Sequence, residues 1–451
     1  MRTKYKLLFL SYVLLHALSG YSQGINSPYS RYGFGVMADR AMGFNKGMGG
    51  VAYGFGDGKQ VNVANPASYS SVDSVTALFD MGMSLSFSNY KMDKLEQNAK
   101  NTSIDYFAFQ FRAAKGFGIT FGLQPITNIN YSFSSKSQLL TDDESYSSSY
   151  SFAGDGGLHE VFLGMGVRLF KPLSIGVNAG YIWGTYNHTM KMSFNESSIF
   201  SLQRKYDADV RTYDVSAGMQ IAVPFGKKDK LTLGLTYGLG HNIDSKAFRT
   251  TNMLNSSNSV VETKADTLKN AFQLPHTIGA GLCFNHDDQF RIGADFTLAK
   301  WADTRFPSQD MTNISSAYIS EKGQLNDSWR ISLGGDFVPK RNSTHLFGRT
   351  IYRLGGYYSQ PYAKADASGA LNAKPYEMGI SAGVGIPIDG RHIWYNKYNV
   401  PRLNISLQFT HSNIPYLSNS QSVKRNLTEN YVKLCIGITF NERWFYKWKV
   451  Q

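Results

Sequence analysis

A chain of 451 residues, 42% apolar and 14% aromatic, has ample material for a core, and two cysteines are too few for a disulfide framework. The net charge of +13 raises nucleic acid as a partner, but the cations stand singly in turns and form no stripe, which excludes that class. Cys283 and Cys435 lie too far apart for a metal knuckle.

Arg2, Lys4 and Lys6 precede an apolar run from Leu7 to Leu18, and Gly20 and Ser22 are small enough for the two positions that signal peptidase reads. Residues 1–22 are therefore expected to form a secretory signal peptide, cleaved before Gln23. The run is shorter than the roughly 20 residues of a spanning helix, and no cysteine follows it to carry a lipid. Cleavage removes three cations and lowers the net charge from +13 to about +10, a balance suited to a phosphate-rich lipid surface. Residues 23–72 are glycine-rich and irregular, yet Tyr29, Tyr32, Phe34, Met37, Met42, Phe44, Met48 and Phe55 make them too apolar for a solvated linker. Such a segment is expected to be buried.

From residue 73 to 451 the recurring unit is the strand. Leu173, Ile175, Val177, Ala179, Tyr181 and Trp183 share one parity, with Ser174, Gly176, Asn178 and Gly180 between them. The same period of two returns at Phe290 to Leu298 and at Val432 to Phe440. Turn signals predict strands near 75–90, 103–115, 117–135, 147–170, 172–194, 205–224, 231–248, 267–285, 289–302, 325–339, 346–362, 374–388, 400–415 and 428–440. Most exceed the nine to eleven residues that cross a bilayer, whereas sandwich strands run to about five or six. Short links such as Lys171 and His286 to Asp288 alternate with long polar ones: Lys91 to Thr102, Lys136 to Tyr146, Thr250 to Asp266 and Asp303 to Gln324. The expectation is an all-β transmembrane antiparallel barrel of about 14 strands in a bacterial outer membrane, with residues 23–72 as a hatch or plug in its lumen. Tyr181, Trp183, Tyr186, Trp301, Trp329, Tyr357, Tyr358, Trp394 and Tyr395 are expected in interfacial girdles.

Inward parity places Arg168, Asp214, Arg291, Asp295, Arg330 and Asp336 along the lumen, where opposite charges would hold a plug or line a polar path. Gly379-Ile380-Ser381-Ala382-Gly383 matches a hydrolase nucleophile elbow, but it lies mid-strand with no helix after it, so no catalytic role is expected. His159, Glu160 and His411 lack partners at metal or triad spacing, and no metal or cofactor is expected.

Several features together carry a family likeness: the leader, a glycine-rich segment ending Met48-Gly49-Gly50-Val51, then Asn65-Pro66-Ala67-Ser68 before the first strand. With Asn441-Glu442-Arg443-Trp444-Phe445 after the last strand, the layout resembles a divergent branch of the FadL/TodX-type outer-membrane transporters of long-chain fatty acids and other hydrophobic compounds. The resemblance implies fourteen strands, a hatch carrying Gly49, Gly50, Asn65, Pro66 and Ala67, and lateral passage of apolar ligands through a gap in the wall. Partners would be a hydrophobic small molecule and outer-membrane lipid or lipopolysaccharide. The alternative is a binding or assembly component, like the PorV-type barrels of type IX secretion that hold protein cargo. Large ordered external loops would favour that alternative, and the polar loops of ordinary length here favour transport.

Overall fold

A computed structural model describes residues 27–74, 76–92, 95–140, 145–196, 198–308, 317–341, 343–364, 374–388, 400–417 and 424–443. The leader, Trp394, Tyr395 and the Trp444-Phe445 ending lie outside them. Fourteen strands make the wall: β1 Thr76–Met92, β2 Leu95–Ala114, β3 in two pieces (Phe117–Pro125 and Thr127–Leu140), β4 Ser145–Phe170, β5 Leu173–Phe194, β6 Ser201–Phe225 and β7 Asp229–Gly238. They continue with β8 Thr277–His286, β9 Phe290–Ala299, β10 Ser328–Phe337, β11 Ile351–Gln360, β12 Tyr376–Pro387, β13 Arg402–Leu417 and β14 Lys424–Arg443. Each pairs antiparallel with its neighbour, and β14 returns to β1 in a register running from Thr76↔Arg443 to Met92↔Leu427. Closure leaves no sheet edge within the membrane for most of the circumference, which is what hydrocarbon demands of a spanning sheet.

The alternation read from the sequence sorts the two faces. On β9, Phe290, Ile292 and Phe296 are exposed toward lipid while Arg291 and Asp295 are buried within. On β14, Lys433, Cys435 and Thr439 point inward between the outward Val432, Leu434, Ile436 and Ile438. Three of the expected girdle aromatics are corrected by the structure. Tyr186 and Trp301 are buried in a cluster inside the loop end of the barrel, and the Tyr357 ring lies inside against Arg330. Tyr181 and Tyr358 do face outward.

Strand limits differ where the chain leaves the membrane. The strands expected at 231–248 and 267–285 end at Gly238 and begin at Thr277, and between them Ala247–Leu254 and Val260–Leu268 form a hairpin that extends β6. Water on both faces of Val260–Leu268 removes the alternation that marks a strand in the sequence. The described residues of the links expected at 91–102 and 136–146 are strand, because β1 to β4 continue beyond the membrane. The stretch 346–362 opens with a helical turn, Leu346–Arg349, before β11.

Residues 27–74 run inside this wall as short 3₁₀ turns at Pro28–Arg31, Lys46–Met48 and Pro66–Ser71. Pro66 starts the last turn, and the Asn65 side chain caps it by accepting from the Ala67 amide at 3.1 Å. The turn presses on β4, β5 and β6 at Gly166, Gly176 and Gly218. A Cβ there would fall 2.4, 2.4 and 2.1 Å from atoms of Asn65 or Pro66, so only glycine lets the backbones approach.

Candidate functional site

The interior is built from wall side chains that reach the N-terminal segment. Gly49 and Gly50 take φ of +66° and +82°, which turns the chain against β10 to β12. The Gly49 amide donates to Ser381 Oγ at 2.8 Å, and its carbonyl accepts from Arg330 Nη2 at 3.0 Å. Ser381, the central residue of the G-x-S-x-G match, is thus a mid-strand acceptor for the segment. Asp295 accepts from the Ala52 and Tyr53 amides at 2.6 and 2.9 Å. Arg291 grips Asp336 with two N–H groups, one at 2.8 Å, and reaches Asp57 of the segment at 3.1 Å. Asn65 donates to the carbonyls of Tyr53 and Met219 at 2.9 and 3.2 Å.

Of the six lumen charges expected from parity, Arg291, Asp295 and Arg330 touch the segment directly, and Asp336 does so through Arg291. Asp214 stands beside Glu160 across the space left by Gly180. Arg168 lies at the turn end of the wall and is exposed. Sequence reasoning missed the buried Lys46–Asp105 pair, in which Ser84 and Ser103 also donate to Asp105. It also missed Gln220, which donates to the Tyr53 and Phe55 carbonyls, and Tyr106, which accepts from the Gly43 amide. The inward parity of Gln220 was readable, whereas Lys46 lies in a turn and a bulge turns the neighbouring Asp105 and Tyr106 both inward. Nothing in the sequence separates a polar residue that grips a plug from one that faces water. His411 bonds Asn430, Glu160 accepts from Gln124, and among the described residues no group of three metal-ligating side chains assembles.

Among the described residues the wall is split between β2 and β3. β2 pairs with β3 only from Phe107↔Leu123 to Ala114↔Phe117. Beyond that, residues 95–106 of β2 pair with β1 alone, while Ile129 to Leu140 of β3 pair with β4. The departure is enforced locally: Pro125 lacks an N–H, and just beyond it, where β4 faces Thr127 to Ile129, Gly156 and Gly157 adopt φ of +126° and +132°, where a side chain would be strained. The freed edge of β3 is taken by the N-terminal segment. Val36 and Met37 pair with Asn128 and Thr127, the Ala38 amide donates to the Ile126 carbonyl at 2.8 Å, and Ser30 Oγ bonds the backbone of Asn130.

Just inside this strap lies an aromatic cluster. Phe34 sits between Phe306, Phe272, Trp301 and Tyr186, with centroid distances of 5.0, 5.1, 6.2 and 6.3 Å. Tyr362 stacks on Trp301 and donates to the Gly35 carbonyl. Phe272 and Phe306 come from loops that fold back over the lumen through the short pairs Asn242–Ile243 with Phe272–Gln273 and Phe306–Pro307 with Ser320–Glu321. The described parts of these two loops are therefore ordered elements that cap an apolar interior.

A family model described as BamG matches residues 4–451. No curated protein matches the sequence. Among solved structures, a Pseudomonas aeruginosa FadL homologue superposes with a TM-score of 0.59 at 12% identity, over 90% of this chain and 99% of that one. The P. putida toluene transporter TodX gives 0.57 at 14% identity, over 90% and 99%. The CymD monoaromatic hydrocarbon channel gives 0.57 at 12% identity, over 90% and 98%. At such identities the likeness establishes a shared FadL-like fold.

Proposed function

The chain belongs to the BamG family, and from the split in its FadL-like wall we propose that it is an outer-membrane barrel passing hydrophobic small molecules sideways between lumen and lipid. Residues 23–72 act as the hatch, with Gly49, Gly50, Asn65, Pro66 and Ala67 as its turning points and Arg291, Asp295, Arg330 and Asp336 as its anchors. The observation that carries this reading is the coincidence of three features: a break in the β2–β3 ladder, the Val36–Met37 strap across the freed edge, and the aromatic cluster around Phe34 directly behind it. An apolar solute in that cluster is one backbone strand away from the bilayer. Moving the strap would expose it to lipid without opening a water-filled path through the barrel, since the polar clamps on Gly49, Ala52 and Asn65 lie elsewhere on the segment. The FadL-like neighbours named as a toluene transporter and a hydrocarbon channel support the same class of solute.

Locking the strap tests the route. Val36 and Asn128 are directly opposite in an antiparallel pair, a separation that a disulfide spans. The Val36→Cys/Asn128→Cys variant is expected to fold, to lose uptake of a radiolabelled monoaromatic or fatty acid into cells when oxidised, and to regain it with dithiothreitol. Full uptake by the oxidised form sinks the lateral route.

A second reading, a barrel that binds or assembles protein partners, is supported by the hairpin outside the membrane. Among the described residues Val260–Leu268 pairs along one edge only, with Ala247–Leu254, and both its faces are exposed. An open, rigid edge at the loop end is suited to accept an extended segment of another protein. A photo-crosslinking side chain at Thr263 in native membranes is expected to give a discrete protein adduct on this reading, and the same group at Thr251, inside the hairpin pairing, to give none. Absence of any adduct at Thr263 removes it.

A further inference from the structure

At the turn end of the barrel a cavity of about 240 Å³ opens between the N-terminal segment and the ends of β4 to β7. Arg168, Lys171 and Lys230 stand around it, and the hydroxyls of Ser71, Ser174 and Thr232 with the Gln220 amide complete its polar lining. No carboxylate lines it, and among the described residues none of the three cations forms an ion pair. The acids closest in sequence are engaged elsewhere: Asp229 bonds His286 at 2.7 Å and Asp287 pairs with Lys228 at 3.1 Å. Ser174 and Thr232 are buried against the segment, so the cavity is a recess with a floor and not a stretch of open surface.

We propose that this recess is an anion site that takes a phosphate group. Three cations with no counter-charge, set above three hydroxyl groups, match a multiply charged tetrahedral anion better than a single carboxylate. Arginine supplies a planar pair of donors and lysine a mobile point charge. At roughly 30 Å³ per water-sized group, the volume accepts a phosphoryl group together with its ester neighbour. Leu169, Phe170, Val223 and Phe225 are exposed on the outer side of the same rim, which sets the membrane surface level with the recess. A lipid headgroup curling over the Lys171 turn and a free phosphate compound from the aqueous side therefore share this chemistry and both reach it. Because Gly56 and Ser71 belong to the segment and the cations to the wall, the bound phosphate would tie the two together. The inference stands independently of the transport reading.

The test uses full-length mature protein in phosphate-free detergent, titrated calorimetrically with inorganic phosphate, with dihexanoylphosphatidylglycerol, and with phosphate-free dihexanoylglycerol. At least one phosphate-bearing probe is expected to bind, and the Arg168→Gln/Lys171→Gln/Lys230→Gln variant to weaken it by roughly tenfold or more, the scale of losing charged hydrogen bonds. Binding of inorganic phosphate assigns the site to a free anion. Binding of the phospholipid alone assigns it to a headgroup. Failure of both probes, or equal binding of either by the triple variant, overturns the proposal. Heat-modifiable gel mobility reports that the variant is folded. Should the triple variant misassemble, the single Lys171→Gln change in the turn provides the same comparison, with roughly threefold weakening expected and an unchanged affinity counting against the site.

Discussion

Removing residues 25–60 is expected to leave a folded, heat-modifiable barrel whose ion conductance in planar bilayers exceeds that of the intact protein by roughly tenfold or more, as an emptied lumen of this strand number requires. Without those residues β14 still meets β1 and β2 still pairs with β3 from Phe107 to Ala114, and only the Val36–Met37 cover over the freed edge of β3 is lost. The wall groups that hold the segment, among them Asp295, Arg330, Ser381 and Gln220, are polar and rehydrate when it leaves. Conductance unchanged from the intact barrel, with both proteins shown to be folded, would mean that the segment does not block the lumen.

Phe34→Ala is expected to release the strap while sparing the wall. The Phe34 side chain is only 1% exposed and is held by four rings, and truncating such a residue to alanine costs about 3–5 kcal/mol. That loss falls on the docking of residues 27–38, not on the ladder, so amide exchange of Val36 and Ala38 should quicken by two to three orders of magnitude, on the order of what that energy implies. Exchange in β8 and β9 should not change. The vacated space is lined by Phe272, Phe306, Trp301 and Tyr186, and an apolar void of this kind admits a small aromatic molecule. Toluene should therefore protect the variant's strap amides. Wild-type exchange rates in the variant would show that Phe34 does not hold the strap.

The barrel was legible in the sequence because lipid and lumen impose opposite demands on alternate residues. Phe290 to Leu298 and Val432 to Phe440 declare their facing without any knowledge of their neighbours. Legibility ends where that contrast ends. Val260–Leu268 has water on both sides and read as a loop, and Tyr186 and Trp301 read as girdle aromatics because the inward fold of the loops is a tertiary event. The same holds for the contacts inside. The parity of Arg291, Asp295, Arg330 and Asp336 marked them as inward, but their partners Asp57, Ala52 and Gly49 lie more than 200 residues away and carry no pattern that points to them. The split in the wall left one trace, Pro125 in β3 and the paired Gly156-Gly157 in β4, which becomes a signal only once the two strands are known to be neighbours.

The glycines that receive the Asn65-Pro66 turn bear on how the barrel is made. β1 and β14 must meet although Thr76 and Arg443 stand 367 positions apart, and closing so long a loop is entropically costly. The N-terminal segment seats its last turn on Gly166, Gly176 and Gly218 in one half of the chain and Met48 on Gly334 and Gly355 in the other. A segment bound to both halves would act as a mandrel that speeds closure without being required for it, since strands meeting it arrive already curved toward each other. A bulky side chain at Gly176 or Gly355 would then slow closure of the β1–β14 seam, tens of residues of wall away from the substitution.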